Sequence, residues 1–184
     1  MADSDAPRRR RAVVVVIATA IVVIALDQLT KLWAVAALEG RPPVAVLGDW
    51  LKLAFVRNPG AAFSLGAGST LVVSLLALGI VAVLLLKART LASLWWALAV
   101  GAMVGGALGN LVDRMLREPG LLRGHVVDFL ALPNWPVFNV ADMAVVGAAI
   151  LMGILAVAGV DFDGTRSNSG GGEPVATTSP DGTQ

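Results

Sequence analysis

The chain has 184 residues, of which 57% are hydrophobic and 15% charged, with a mean hydropathy of +0.78, far more apolar than a soluble core of this size needs. Its net charge is +1 and its basic residues sit at segment ends instead of forming one face, which gives no reason to expect nucleic acid. With no cysteine and a single histidine, disulfides, a thiolate nucleophile and a sulfur-built zinc site are excluded, and a protein-only imidazole site is not expected.

The opening residues MADSDAPRRRR, 1–11, form a polar leader ending in a basic cluster. AVVVVIATAIVVIAL, 12–26, follows directly and opens a first span over about 12–33. A basic leader before an apolar run, with AVAA at 34–37, has the outline of a cleaved secretory signal. DQLTK interrupts that run before AVAA and long apolar segments follow, so the first helix is read as retained. Residues 34–68 then form a long connection in which PVAVLGDWLKLAFVRN, rich in β-branched and aromatic residues, predicts a small interfacial sheet. Further spans are expected at 69–86, 94–112 and 138–160, each long enough for a hydrocarbon core of about 30 Å. A second long connection, 113–137, joins the last two spans. The tail, 161–184, is rich in Gly, Ser, Thr and Pro and is expected to be a disordered cytoplasmic segment.

Four spans put both termini on one side of the membrane. The RRRR leader and the KART link between spans two and three mark that side as cytoplasmic, so the two long connections face outward. The expected fold is an all-α polytopic membrane protein, with four transmembrane helices and a small extracytoplasmic β-sheet or loop element between helices 1 and 2.

An Asp at the centre of a spanning helix costs about 2.5 to 3.5 kcal/mol, so each polar residue there needs a partner or a role. Span three ends in GNLVDR, which places Asn110, Asp113 and Arg114 on one helical face, and span four begins with Asn139 and Asp142 in the same N-x-x-D spacing. HVVDF, in the loop between them, adds Asp128. Three carboxylates thus converge on one depth. Taken singly, each is better explained as a helix cap or a water-satisfied interface residue. Asp113 beside Arg114 reads as an ion-paired structural pin. Asp128 and Asp142 lie among apolar neighbours with no adjacent cation; held close, two such acids share a proton near neutrality, the condition for one to act as base and the other as acid. Asp27 and Lys31, spaced i and i+4, are either a simple anchor or a support for the outer loop. Asn58 in RNPGAAFSLG lies in a turn and is also placed to bind an extended backbone. GGALG at 105–109 reads as a close helix-packing motif, His125 as a loop hydrogen-bonder, and Trp33, Trp50, Trp95, Trp96 and Trp135 as interfacial belts.

The order DQLTK, RNPGAAFSLG, GGALGNLVDR, GHVVDF, FNVADMAVVGA over about residues 12–158 resembles the bacterial lipoprotein signal peptidases, the type II signal peptidases. That resemblance implies an aspartyl endopeptidase of the bacterial plasma membrane, which removes the signal peptide from diacylglyceryl-modified prolipoproteins just before the lipidated cysteine. Carried over by motif, Asp128 and Asp142 would be the catalytic dyad. Asp27, Asn58, Asn110, Asp113, Arg114 and Asn139 would support the dyad or bind substrate backbone. Residues 12–160 would form the peptidase domain, active at the extracytoplasmic face as a monomer among membrane lipid, with no cofactor or metal. MLREPGLLRG, 115–124, lengthens the link between two motifs relative to many members. A small proton-coupled transporter, which predicts acids at several depths, and a noncatalytic membrane scaffold are the competing readings.

Overall fold

A computed structural model describes residues 6–60 and 69–166, so part of the RNPGAAFSLG stretch and the tail beyond Arg166 lie outside the described residues. The described elements are α1 (Ala6–Leu38), β1 (Val44–Leu47), β2 (Leu51–Asn58), α2 (Ser69–Ala88), α3 (Leu94–Leu116), β3 (Val126–Ala131) and α4 (Val140–Val157). All four helices are long and apolar enough to cross a membrane.

Helix α1 is longer than the 12–33 segment expected. Pro7 is tolerated in a first turn, DQLTK contains no helix breaker, and the helix stops only before Gly40, whose φ of +74° suits glycine. At 1.5 Å per residue it is about 50 Å long, well beyond a hydrocarbon core of about 30 Å.

Helix α3 is the centre of the bundle, packing on α1, α4 and α2. Its small residues explain why. A Cβ at Gly105 would lie 2.9 Å from the Ala20 carbonyl oxygen of α1, and one at Gly106 would lie 2.5 Å from the Ala141 carbonyl oxygen of α4. The GGALG stretch therefore packs two neighbours at backbone distance. Gly106→Val is expected to force α4 away and to cost about 1 to 3 kcal/mol or more. Gly147→Ala, inside α4 where a Cβ meets nothing within 4 Å, should keep or slightly raise stability. Thermal unfolding in detergent compares the two.

The three strands form one antiparallel sheet in the order β1-β2-β3. The sheet was expected within the first connection alone, but β3 comes from the second, between α3 and α4. VVDFLA pairs with the edge that β2 would otherwise leave open, with Val56 opposite Asp128 and Asn58 opposite Val126. Side chains alternate along a strand. Val127 and Phe129 therefore pack with Ala34 and Leu38 of α1, while Asp128 points to the opposite face. A bridge between Leu130 and Phe138 brings the start of α4 against the same strand.

Trp33, Trp50, Trp95 and Trp135 are exposed, as a membrane-interface belt requires. Trp96 departs from that expectation. It is buried, donates its indole N–H to the Val160 carbonyl at 2.8 Å and stacks on Phe162, tying the start of α3 to the end of α4.

Candidate active site

Asn139 caps α4, and its conformation explains how one residue reaches two acids. Its backbone is extended, so its side-chain oxygen accepts the Asp142 N–H at 3.0 Å while the Asp142 carboxylate accepts the Asn139 N–H at 3.2 Å, a reciprocal capping box. The cap leaves the Asn139 amide nitrogen free to turn away from the helix. It donates to Asp128 Oδ1 at 2.6 Å and to Asn110 Oδ1 at 3.2 Å. Asp142 and Asp128 are thus held by opposite sides of a single buried residue.

The other oxygens are also engaged. Asp128 Oδ2 accepts from Asn58 Nδ2 at 2.8 Å, across the β2–β3 pair, and Asn58 is itself fixed by the Gly60 N–H at 2.8 Å. Asp142 Oδ1 accepts from Asn110 Nδ2 at 2.8 Å. Asp128 is only 1% exposed. Burial pushes its carboxyl up to about 6; the Asn58 hydrogen bond opposes this, the Asp142 charge adds to it, and Asn139 and Lys31 again oppose it.

Asp113 and Asp27 lie near the pair but face elsewhere. Asp113 does not pin Arg114, as adjacency in sequence had suggested; it pairs with Lys31 at 2.9 Å and with Arg117 at 2.7 Å and accepts the Val127 N–H at 3.1 Å. Residues one apart on a helix do not face each other, whereas residues four apart do. Asp27 pairs with Lys31 at 2.8 Å and accepts the Ala141 N–H at 2.9 Å, so it joins α1 to α4. Sequence reasoning left Lys31 and Gln28 outside the site. Gln28 donates to the Gly109 carbonyl at 3.0 Å and to Asp27 at 3.1 Å. The available signal was a lysine in the interior of an apolar helix, which needs an anionic partner.

Arg114 projects instead into a cleft of about 580 Å³ that also reaches Asn58, Asn110 and Asp142. It is mostly buried, and its Nη1 has no hydrogen-bond partner among the described residues. The far wall of the cleft is apolar, made by Val73 and Ile80 of α2, Met103 and Ala107 of α3 and Val145 of α4.

A family model described as signal peptidase (SPase) II matches residues 19–158, most of the chain and both acids. The chain belongs to the signal peptidase II family. Proteins named lipoprotein signal peptidase are similar over most of their length. That of Rhodococcus jostii is 53% identical over 145 residues, 79% of this chain and 73% of that protein. That of Mycobacterium tuberculosis is 50% identical over 161 residues, 88% of this chain and 80% of that protein. A solved bacterial membrane enzyme, determined in meso at 1.9 Å, superposes with a TM-score of 0.67 at 28% identity, covering 77% of this chain and 91% of that one. As a signal peptidase II, the chain is a peptidase of a multi-pass bacterial membrane type, and its helices and sheet meet at one polar end where the acids, amides and Arg114 converge.

Proposed function

We propose that this chain removes signal peptides from diacylglyceryl-modified prolipoproteins by aspartyl chemistry, with Asp128 and Asp142 as the catalytic pair. The observation that carries this reading is the Asn139 bridge, in which one residue donates its backbone N–H to the Asp142 carboxylate and its side-chain amide to the Asp128 carboxylate. Water attacks the scissile carbonyl carbon and gives a proton to Asp142, while Asp128 passes its proton to the carbonyl oxygen. On collapse of the diol, Asp128 takes a hydroxyl proton, the C–N bond breaks, and Asp142 protonates the leaving amine. The pair ends with the single proton it began with. Asn58 and Arg114 hold the substrate backbone, replacing hydrogen bonds lost when the helical segment unwinds. The apolar wall between α2, α3 and α4 takes the remainder of the signal segment.

The basic start of α1 and the Lys87 end of α2 support, by the positive-inside rule, a cytoplasmic location for those ends and a site at the outer face of the plasma membrane. There the lipidated substrate remains in the bilayer while water is available. A single chain surrounded by lipid carries the whole site. A transporter would need acids at several depths, whereas the buried charged side chains Asp27, Lys31, Asp113, Arg114 and Asp128 gather at one end of the bundle.

The test is cleavage of a purified diacylglyceryl-modified prolipoprotein in detergent containing a chelator. The expected result is cleavage immediately before the modified cysteine at a rate the chelator does not alter. A folded chain without activity, or one that loses activity to the chelator, would refute the aspartyl reading. A pH dependence follows as well. Asp128 must enter the cycle protonated, and its carboxyl titrates at about 6. Hence kcat/KM should fall about tenfold per pH unit above that region. The corresponding limb in kcat should lie at higher pH, because bound substrate excludes water and raises the cost of charging Asp128 further. Steady-state rates between pH 4 and pH 9 read both limbs.

A further inference from the structure

The geometry points to Lys31 as the positioning residue that sets the spacing of the proposed dyad, a role that rests on the assignment of Asp128 and Asp142. Its side chain is fully buried and its ammonium has three partners, one for each proton. These are Asp27 Oδ2 at 2.8 Å, Asp113 Oδ2 at 2.9 Å and Asn110 Oδ1 at 2.9 Å.

What those three partners do next is the basis of the inference. Asp27 accepts the backbone N–H of Ala141, the residue immediately before Asp142. Asp113 accepts the backbone N–H of Val127, the residue immediately before Asp128. Asn110, its oxygen turned to the ammonium, presents its amide nitrogen to Asp142 Oδ1 at 2.8 Å. One ammonium therefore draws together two carboxylates, each of which grips the chain one residue upstream of a reacting acid. It also orients the amide that donates to one of them. The acids stand on different elements, Asp128 on β3 and Asp142 on α4, so the relative placement of strand and helix sets their separation. Lys31, on α1, links the two through paired carboxylates whose charge it neutralises together with Arg117.

Removing the ammonium alone would leave the buried Asp27 carboxylate unpaired and Asp113 with Arg117 as its remaining cation, and would threaten the fold. The informative variant is therefore charge-compensated. Asp27→Asn/Lys31→Met deletes one positive and one negative charge, and the introduced amide retains an oxygen for the Ala141 N–H. The experiment measures wild type, Lys31→Met, this double variant and Asp128→Asn on the diacylglyceryl-modified prolipoprotein, with thermal unfolding of each in the same detergent. We expect Lys31→Met to be destabilised and the double variant to recover most of the loss. The recovered protein should still show a kcat lower by about 100-fold, the penalty of a displacement near 1 Å, with KM within about threefold of wild type. In Lys31→Met the alkaline limb should also move to higher pH, because the Lys31 charge that opposes the raised carboxyl of Asp128 is gone while Asn58, Asn139, Asp142 and Arg114 remain around it; in the double variant the Asp27 charge leaves with it and the limb should stay near that of wild type.

A double variant that regains wild-type kcat together with stability would overturn the proposal and leave Lys31 a charge neutraliser of the fold. If the double variant does not fold, Asp113→Asn/Lys31→Met is measured in the same way. If neither folds, the lysine serves folding and the positioning role is refuted. Asp128→Asn separates the two levels: full activity in that variant would mean that the dyad reading had failed, not the role of Lys31.

Discussion

Asp128→Asn and Asp142→Asn are each expected to lower the rate of prolipoprotein cleavage by about 10³-fold to 10⁴-fold, near the upper range for a lost proton-transfer group. An amide keeps the size of the carboxyl and one accepting oxygen for the donors around it, but it can neither accept the proton of the attacking water nor hand one to the carbonyl oxygen. Because the acids act as a unit, the double variant should be no slower than either single one by more than a small factor. Stability should move the other way for Asp128. Its carboxyl is raised to about 6 by burial, so its charged form is disfavoured in the folded chain, and a neutral amide at neutral pH relieves that cost. The unfolding midpoint of Asp128→Asn should equal or exceed that of wild type. Rates on a purified substrate alongside thermal scans decide the matter, and a variant retaining even a tenth of wild-type activity would exclude its acid from the chemistry.

The second large effect is expected at Asn139, where a helix cap and a link between two acids coincide. Asn139→Ala removes the cap of α4, at a cost of about 1 kcal/mol, and also takes the Nδ2 donor away from Asp128. We expect a lower unfolding midpoint together with a loss of kcat of about 100-fold, the scale of a misplaced reacting group. Asn139→Ser separates the two contributions. Serine caps a helix as well as asparagine does, but its single hydroxyl cannot also donate to Asp128. It should therefore restore stability and leave the rate low. If serine restores the rate as well, the Asn139 side chain matters only for the helix.

The sequence made the bundle legible because spanning helices are read locally, from runs of apolar residues whose length is set by the bilayer. It also placed Asn110, Asp113, Asn139 and Asp142 within one group, since N-x-x-D at one helix end and at the next helix start gives a face without any knowledge of the fold, and the loop between them added Asp128. What it missed was non-local. VVDFLA has strand-forming Val and Phe but no local turn or neighbouring strand to pair with, and becomes β3 because β2, far upstream, offers it an edge. Asp113 was assigned to the nearest cation in sequence, Arg114, when its partners are Lys31 on another helix and Arg117 a turn further on. Lys31 carries no local sign that it meets Asn110, 79 residues away. Buried polar side chains find their partners after the helices dock, so spacing along one helix shows that a partner is needed without showing which one it is.

The apolar wall of the Arg114 cleft has a consequence for selectivity. Val73, Ile80, Met103, Ala107 and Val145 line an apolar groove, and in a bilayer acyl chains would cover them in the absence of substrate. Lipid tails are as apolar as leucine, so an entering signal segment exchanges one hydrocarbon neighbour for another and gains little free energy along its length. On the proposed site, discrimination between substrates would then be concentrated at the polar end, where Asn58, Arg114 and the two acids gather. An enzyme arranged in this way can tolerate wide variation in the apolar segment while remaining strict about the few residues around the bond it cuts.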